Sequence, residues 1–167
     1  MSLGRLWAGW RSEYIESAGA GDVHGEGCVF CRILASGEPD ESTHIVWRGE
    51  RSIAILNAFP YTSGHLMVMP NRHIGEIEDL DDAEMGELWP TVRDAVIALK
   101  AAYRPEGINV GANIGRAGGA GVPGHLHVHV VPRWSGDTNF MTSVAESRVL
   151  PEALPTSATK LRSTWPH

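Results

Sequence analysis

The chain has 167 residues, 43% of them hydrophobic and 20% charged, enough to bury one core without disulfides and typical of a single globular domain. With 14 Lys and Arg against 20 Asp and Glu the formal charge is -6, which excludes broad, sequence-independent binding to a nucleic-acid backbone while leaving room for one small anion in a local pocket. No stretch approaches the roughly 20 apolar residues of a membrane span, and the opening MSLGRLWAGW lacks the apolar core of a secretory signal, so a cytoplasmic protein is the default expectation.

Residues 1–27 form an N-terminal extension. It starts with Leu6, Trp7, Trp10, Tyr14 and Ile15, spaced as in a short helix, and passes into a Gly-rich connector from Ser17 in which His24 reads as a solvated residue. Residues 28–34 predict a short helical or knuckle-like turn, stopped by Ser36, Gly37 and Pro39. This turn holds both cysteines of the chain, Cys28 and Cys31. In a reducing compartment a disulfide at this spacing is disfavoured, whereas two thiolates three positions apart suit tetrahedral zinc. The missing pair of ligands must then be histidine or carboxylate from elsewhere, with His73 and His125 the preferred candidates. Two small residues packed in a core are the alternative, and redox use is the weaker one because no βαβ pattern follows.

Strands are predicted over 44–48 and 52–57, joined by a hairpin at Gly49, Glu50 and Arg51. A turn-rich loop over 59–64 leads to a strand over 65–69 that stops at Pro70. His65 reads here as a structural residue packed beside the sheet. Apolar residues then recur at Met85, Leu88, Trp89, Val92, Val96, Leu99 and Tyr103, the spacing of an amphipathic helix. Asp81 or Asp82 would cap it, and Pro90 requires either the first turns or a kink. Strands over 107–113 and over the histidine run close the domain, joined by the glycine-rich loop 114–124. Short connections between consecutive strands favour an α+β domain, a largely antiparallel sheet with one long helix packed on it. Past Pro132 come Trp134, a turn at Ser135 to Asp137, and a polar tail over 141–167 expected to pack on the domain or on another subunit.

The most informative segment is His125-Leu-His127-Val-His129-Val-Val131. On an extended strand, alternate residues share a face, so three imidazoles would line one wall. Such a wall can donate, accept, attack phosphorus or bind metal. A purely structural row is the bland reading, but each buried ring would need its own polar partner. The glycines at 115, 118, 119, 121 and 124 let backbone amides approach an anion, with Arg116 and Arg133 near in sequence.

The histidine run resembles the signature of the histidine triad family, H-φ-H-φ-H-φ-φ with φ apolar. The resemblance extends over roughly residues 28–140: the Cys-Val-Phe-Cys turn, Asn57 before a Pro-containing loop, Gly64-His65-Leu-Met-Val-Met-Pro70, the loop from Asn113 to Gly124, and Val131-Pro-Arg-Trp134. It implies a five-stranded antiparallel sheet with one long helix and short flanking helices, commonly a homodimer, that binds a nucleotide in a cleft on the sheet. It places the nucleophile on His127, with His125 and His129 flanking the phosphate, the ribose on Asn57, and phosphate or the nucleophile's surroundings on Asn113, Gly119 and Gly121. Attack on the α-phosphorus would give a nucleotidyl-histidine intermediate, released to water, inorganic phosphate or another acceptor. Many members carry Gln where this chain has Gly121, which tells against a phosphoramidase. The loop length, Val131 to Trp134, Gly136-Asp137-x-Asn139-Phe140 and Leu6-Trp7 are similar to a bacterial diadenosine tetraphosphate phosphorylase branch, in which Trp134 would shape the substrate site. Some bacterial members hold zinc at positions that match Cys28, Cys31, His73 and His125. That zinc would be structural, and no cofactor is expected to be required for the chemistry.

Three alternatives were weighed against this reading. One is an adenosine 5'-phosphoramidase-type hydrolase. Another is a nucleotide-binding regulator with little catalysis. The third, a catalytic metal on His125, His127 and His129 together, fails on reach, because the first and third lie about 13 Å apart along an ideal strand.

Overall fold

The computed structural model describes residues 27–138 and 152–166. The expected N-terminal helix, His24, Asn139 and Phe140 lie outside the described residues. Helix α1 (Val29–Ala35) has Cys28 at its N-cap, and a single short turn of helix, α2 (Asp40–Thr43), precedes the sheet. The strands are β1 (Ile45–Arg48), β2 (Ser52–Leu56), β3 (Leu66–Pro70), β4 (Gly107–Ala112) and β5 (Val128–Arg133). They form one antiparallel sheet in the order β1-β2-β3-β5-β4. The α+β architecture expected from the short connections is the one observed.

Between β3 and β4 runs the long helix α3 (Asp82–Tyr103). Its N-cap is Asp81, whose side chain accepts from the Glu84 amide at 2.7 Å while the Glu84 carboxylate accepts from the Asp81 amide at 3.0 Å. This reciprocal pair satisfies two of the helix's otherwise unpaired donors. Pro90 sits inside the helix, beyond the first two turns. The carbonyl it would crowd, four residues back, belongs to exposed Gly86, so water can take the acceptor that the proline leaves unpaired. The buried face comprises Leu88, Thr91, Val92, Ala95, Ala98 and Leu99. Trp89, predicted to face inward, is 46% exposed, because it stands about 100° around the helix from Leu88, outside the buried stripe.

The helix packs on one sheet face against Ala54, Leu56, Leu66, Val68, Val128 and Val130. The tail returns to this core as α4 (Leu154–Thr164), which inserts Ala158, Leu161 and Trp165, the last stacked on Trp47 at 5.8 Å. Arg162 donates to the carbonyls of Ile45 and Asp40, pinning α4 beside β1. The opposite sheet face carries a second cluster around Cys28, Phe30, Ile53, Ile55, Met67 and Met69. The candidate functional side chains lie on this second face. Among the described residues no helix is long and apolar enough to cross a membrane.

Candidate functional site

Ladder pairing places Met67 opposite His129 and Gly111 opposite His129 on the other side. Directly opposed residues share a face, so the odd-numbered histidines look toward α1 and the second cluster. The strand itself begins only at Val128, a correction to the expectation that all three histidines stand on β5. The preceding Leu126 leaves the ladder and donates its amide to the Ile74 carbonyl at 2.5 Å. His125 and His127 therefore stand on the irregular segment that leads into β5.

Each ring has a distinct partner, and the partners fix the tautomers. His127 Nδ1 lies 2.7 Å from the His125 carbonyl, which only accepts, so Nδ1 carries the proton and the Nε2 lone pair remains for chemistry. The ring is buried and packs beside Phe30 at 5.4 Å between centroids and beside His129 at 5.0 Å. His125 Nε2 donates to the Pro70 carbonyl at 2.9 Å, which leaves its Nδ1 lone pair facing Cys28 Sγ at 3.5 Å and Cys31 Sγ at 3.6 Å. His129 Nδ1 is 2.9 Å from His65 Nε2. The Tyr61 amide donates to His65 Nδ1 at 3.1 Å, so His65 carries its proton on Nε2 and gives it to His129, whose own proton is then on Nε2. The result is a lone pair on His127 next to an N–H on His129. An unprotonated ring nitrogen and a hydrogen-bond donor stand side by side.

Burial removes the charge from this wall. Desolvation pushes His125 and His129 down to about 4, helped for His129 by neighbouring His127, and lowers His127 against the opposing pull of the His125 carbonyl. At neutral pH the imidazoles are neutral, the state required for nucleophilic attack.

Asn57 follows β2 and donates its amide to the His65 carbonyl at 2.9 Å, which closes the loop 57–65 at its base. Its side chain accepts from the Phe59 amide at 2.9 Å, and its Nδ2 lies 3.4 Å from His65 Nδ1. The loop needs Gly64, which has φ +83° and whose Cβ would come within 2.8 Å of the Tyr103 ring. Asn113 lies one step past the Ala112 and Val128 pair, level with His127, and its Nδ2 donates to the Gly119 carbonyl at 3.4 Å. The loop beyond folds tightly: a Cβ at Gly118 would fall 2.2 Å from the Ile114 carbonyl oxygen. Gly121 is half-buried in the same loop. Trp134, just past β5, is half-buried with its ring edge-on to Tyr103 at 6.5 Å.

The four residues expected to grip a metal come together. One donor atom from each of Cys28, Cys31, His73 and His125 lies within 4.8 Å of the others, and Cys31 Sγ is 3.3 Å from His73 Nδ1. Two thiols and two imidazoles in one cluster could bind a metal, and the tautomer of His125 already aims a lone pair at it. Burial and adjacent Cys28 push the Cys31 thiol up to about 11, a penalty that a divalent cation would reverse.

Sequence reasoning assigned His65 a packing role and overlooked Phe30. The structure makes His65 the partner of His129. The available signal was parity: residues 65, 67 and 69 share a face with the histidines once β3 is paired to β5.

The comparisons with known proteins agree with this geometry. The chain is 45% identical over 126 residues to "AP-4-A phosphorylase" of Mycobacterium tuberculosis, an alignment that covers 75% of this chain and 65% of the relative. It therefore spans a little less than two thirds of that relative's length. A solved zinc-bound histidine triad family protein from Mycobacterium smegmatis superposes with a TM-score of 0.68 at 26% identity, over 84% of this chain and 94% of that one. An uncharacterised HIT-like protein of Saccharolobus solfataricus is 36% identical over 68% of this chain and 79% of its own length. The HIT domain model matches residues 38–136, the span that runs from just before α2 through the triad histidines to just past β5. On that match the chain belongs to the HIT, or histidine triad, family.

Proposed function

We propose that this protein transfers a nucleotidyl group from dinucleoside polyphosphates, with diadenosine tetraphosphate as the first substrate to test. The observation that carries this reading is the 2.7 Å contact of His127 Nδ1 with the His125 carbonyl, which leaves Nε2 with its lone pair. Nε2 attacks the α-phosphorus, a nitrogen–phosphorus bond forms, and the bond to the departing polyphosphate oxygen breaks. His129 Nε2–H, oriented through His65, donates to a phosphate oxygen as charge builds there. Inorganic phosphate or water then attacks the same phosphorus and frees His127. Asn57 holds the ribose. Asn113 and the backbone at Gly119 and Gly121 line the phosphates, and Trp134 shapes the far end of the site. The 45% identity to a protein named for AP-4-A phosphorolysis supports this choice of substrate.

On the same reading, Cys28, Cys31, His73 and His125 hold a structural zinc, supported by the donor set and by the zinc-bound mycobacterial neighbour. Four protein ligands leave no open position, so the ion supplies stability and leaves the chemistry to His127. A homodimer through β4 fits as well. This strand lies at the sheet edge, and most of it, including Val110, is exposed.

The test is product analysis of diadenosine tetraphosphate with and without inorganic phosphate. ATP plus ADP only when phosphate is present identifies phosphorolysis, and ATP plus AMP regardless of phosphate identifies hydrolysis. His127→Ala is expected to abolish turnover while a nucleotide still binds. Full activity in that variant, or no turnover by the unaltered protein, overturns the reading.

A further inference from the structure

The N–H of His129 is held in place indirectly. His129 Nδ1 accepts from His65 Nε2 at 2.9 Å, an N–H···N bond between two neutral rings. Such a bond has no charge to strengthen it, and water that reaches either nitrogen competes with it on nearly equal terms. His65 is fully buried, whereas His129 is only partly so. One flank of His129 is closed by His127, edge-on with ring centroids 5.0 Å apart. Another is closed by Tyr61, whose ring lies nearly parallel to that of His129, at an interplanar angle of 28° with centroids 6.1 Å apart. The same Tyr61 ring is 4.7 Å from that of His65.

The loop that carries Tyr61 is fixed at several points. Its base is closed by the Asn57 amide on the His65 carbonyl at 2.9 Å, and the His65 amide donates to the Thr62 carbonyl at 3.2 Å. Thr62 Oγ1 donates to the Pro132 carbonyl at 2.8 Å, which ties the loop to β5 beyond His129. Tyr61 itself donates its amide to His65 Nδ1 at 3.1 Å. This residue therefore has two holds on one pair. Its amide sets the tautomer of His65, and its ring lies against both imidazoles that share the resulting bond. Tyr61 is 40% exposed and belongs to neither apolar cluster, so the filling of a core does not account for its position.

We infer that Tyr61 is a positioning residue for the proposed transfer, its ring shielding the His65–His129 hydrogen bond from water and so keeping the His129 Nε2–H directed at the phosphate. This rests on the nucleotidyl-transfer reading and deepens it. Without the ring, water reaches His65 Nε2 and His129 Nδ1, the bond between them opens part of the time, and the donor loses its orientation where charge builds. Tyr61 acts through His129 and takes no part in bond making.

The experiment is proton and nitrogen NMR of the full chain carrying isotope-labelled histidine, for the unaltered protein and its Tyr61→Phe and Tyr61→Ala variants, with steady-state turnover of diadenosine tetraphosphate measured alongside. In the unaltered protein the His65 Nε2 proton should exchange slowly with water and show scalar coupling to His129 Nδ1 across the hydrogen bond. Tyr61→Phe keeps the ring and should retain both signals and the activity. Tyr61→Ala keeps the main-chain amide but should lose both signals. Its kcat should fall about tenfold with KM changed less than about twofold, since loosening a transition-state donor costs less than the roughly 10²–10³-fold of deleting one. Its urea midpoint should match that of the unaltered protein, because the ring lies outside both core clusters. A protected His65 proton in Tyr61→Ala, an unprotected one in the unaltered protein, or equal loss of kcat in the two variants overturns the assignment while leaving the nucleotidyl-transfer reading intact. The expected spectra with no turnover by the unaltered protein overturn that reading and leave Tyr61 as the cover of the His65–His129 bond.

Discussion

A carbonyl oxygen decides which nitrogen of His127 is available for chemistry, and an amide hydrogen two residues removed from His129 along a chain of rings decides the other tautomer. Neither signal is a side chain that a sequence pattern displays. The triad spacing at 125, 127 and 129 was legible because alternation is a one-dimensional property. The role of His65 was not, since the Tyr61 amide, His65 and His129 meet only when β3 pairs with β5. The same burial that aligns these rings has a measurable cost. His129 sits near 4 when folded, against about 6.5 in an unfolded chain. Above 6.5 both states are neutral and the ring adds no pH dependence. Between 6.5 and 4 the unfolded chain binds the proton and the folded one does not, so stability falls as pH falls. The contribution is about 1.4 kcal/mol per pH unit across that window. His129→Asn should therefore show a shallower loss of urea-unfolding stability between pH 6.5 and 4 than the unaltered protein. Parallel profiles would show that His129 is not held neutral by the fold.

At the scale of elements, local signals did well where a residue type had one physical meaning. Asp81 caps α3, Gly49 to Arg51 turn the first hairpin, and Pro70 ends β3 as the composition of those segments requires. They did less well where packing arbitrates. The histidine strand starts at Val128 because Leu126 is claimed by the Ile74 carbonyl, a contact between residues far apart in sequence. Trp89 faces water because it stands about 100° around α3 from Leu88, outside the stripe that meets the sheet. The tail is the clearest case: Leu154 to Thr164 is polar in composition, yet Ala158, Leu161 and Trp165 complete the main core. Leu161 is fully buried, and its neighbours on α3 and β1 belong to separate elements that cannot collapse together to fill a void. Leu161→Ala should then destabilise the protein by about 2–5 kcal/mol. A lower urea midpoint with an unchanged slope is the expected observation. A change below about 1 kcal/mol would mean that α4 is not part of the cooperative unit.

For the whole molecule, the question is how the Cys and His cluster and the proposed nucleophile depend on one another. They share one residue. The His125 ring belongs to the Cys28, Cys31 and His73 cluster, and its backbone carbonyl holds the His127 proton. An ion on the ring would therefore also anchor the carbonyl that sets the tautomer of His127. The core does not require the ion, because α3 and α4 pack on the opposite sheet face. Without metal the Cys31 thiol, held near 11, stays protonated, so loss of the ion loosens the fold instead of unfolding it. The native protein is expected to carry one zinc per chain by elemental analysis. Chelation should lower stability by about 3 kcal/mol, roughly 6–12 °C in Tm, and reduce turnover in parallel as the His125 segment gains freedom. Cys31→Ser should reproduce the metal loss and the lower Tm without a chelator. A metal-free preparation with native Tm and full activity would separate the two sites and remove the anchoring role from the ion.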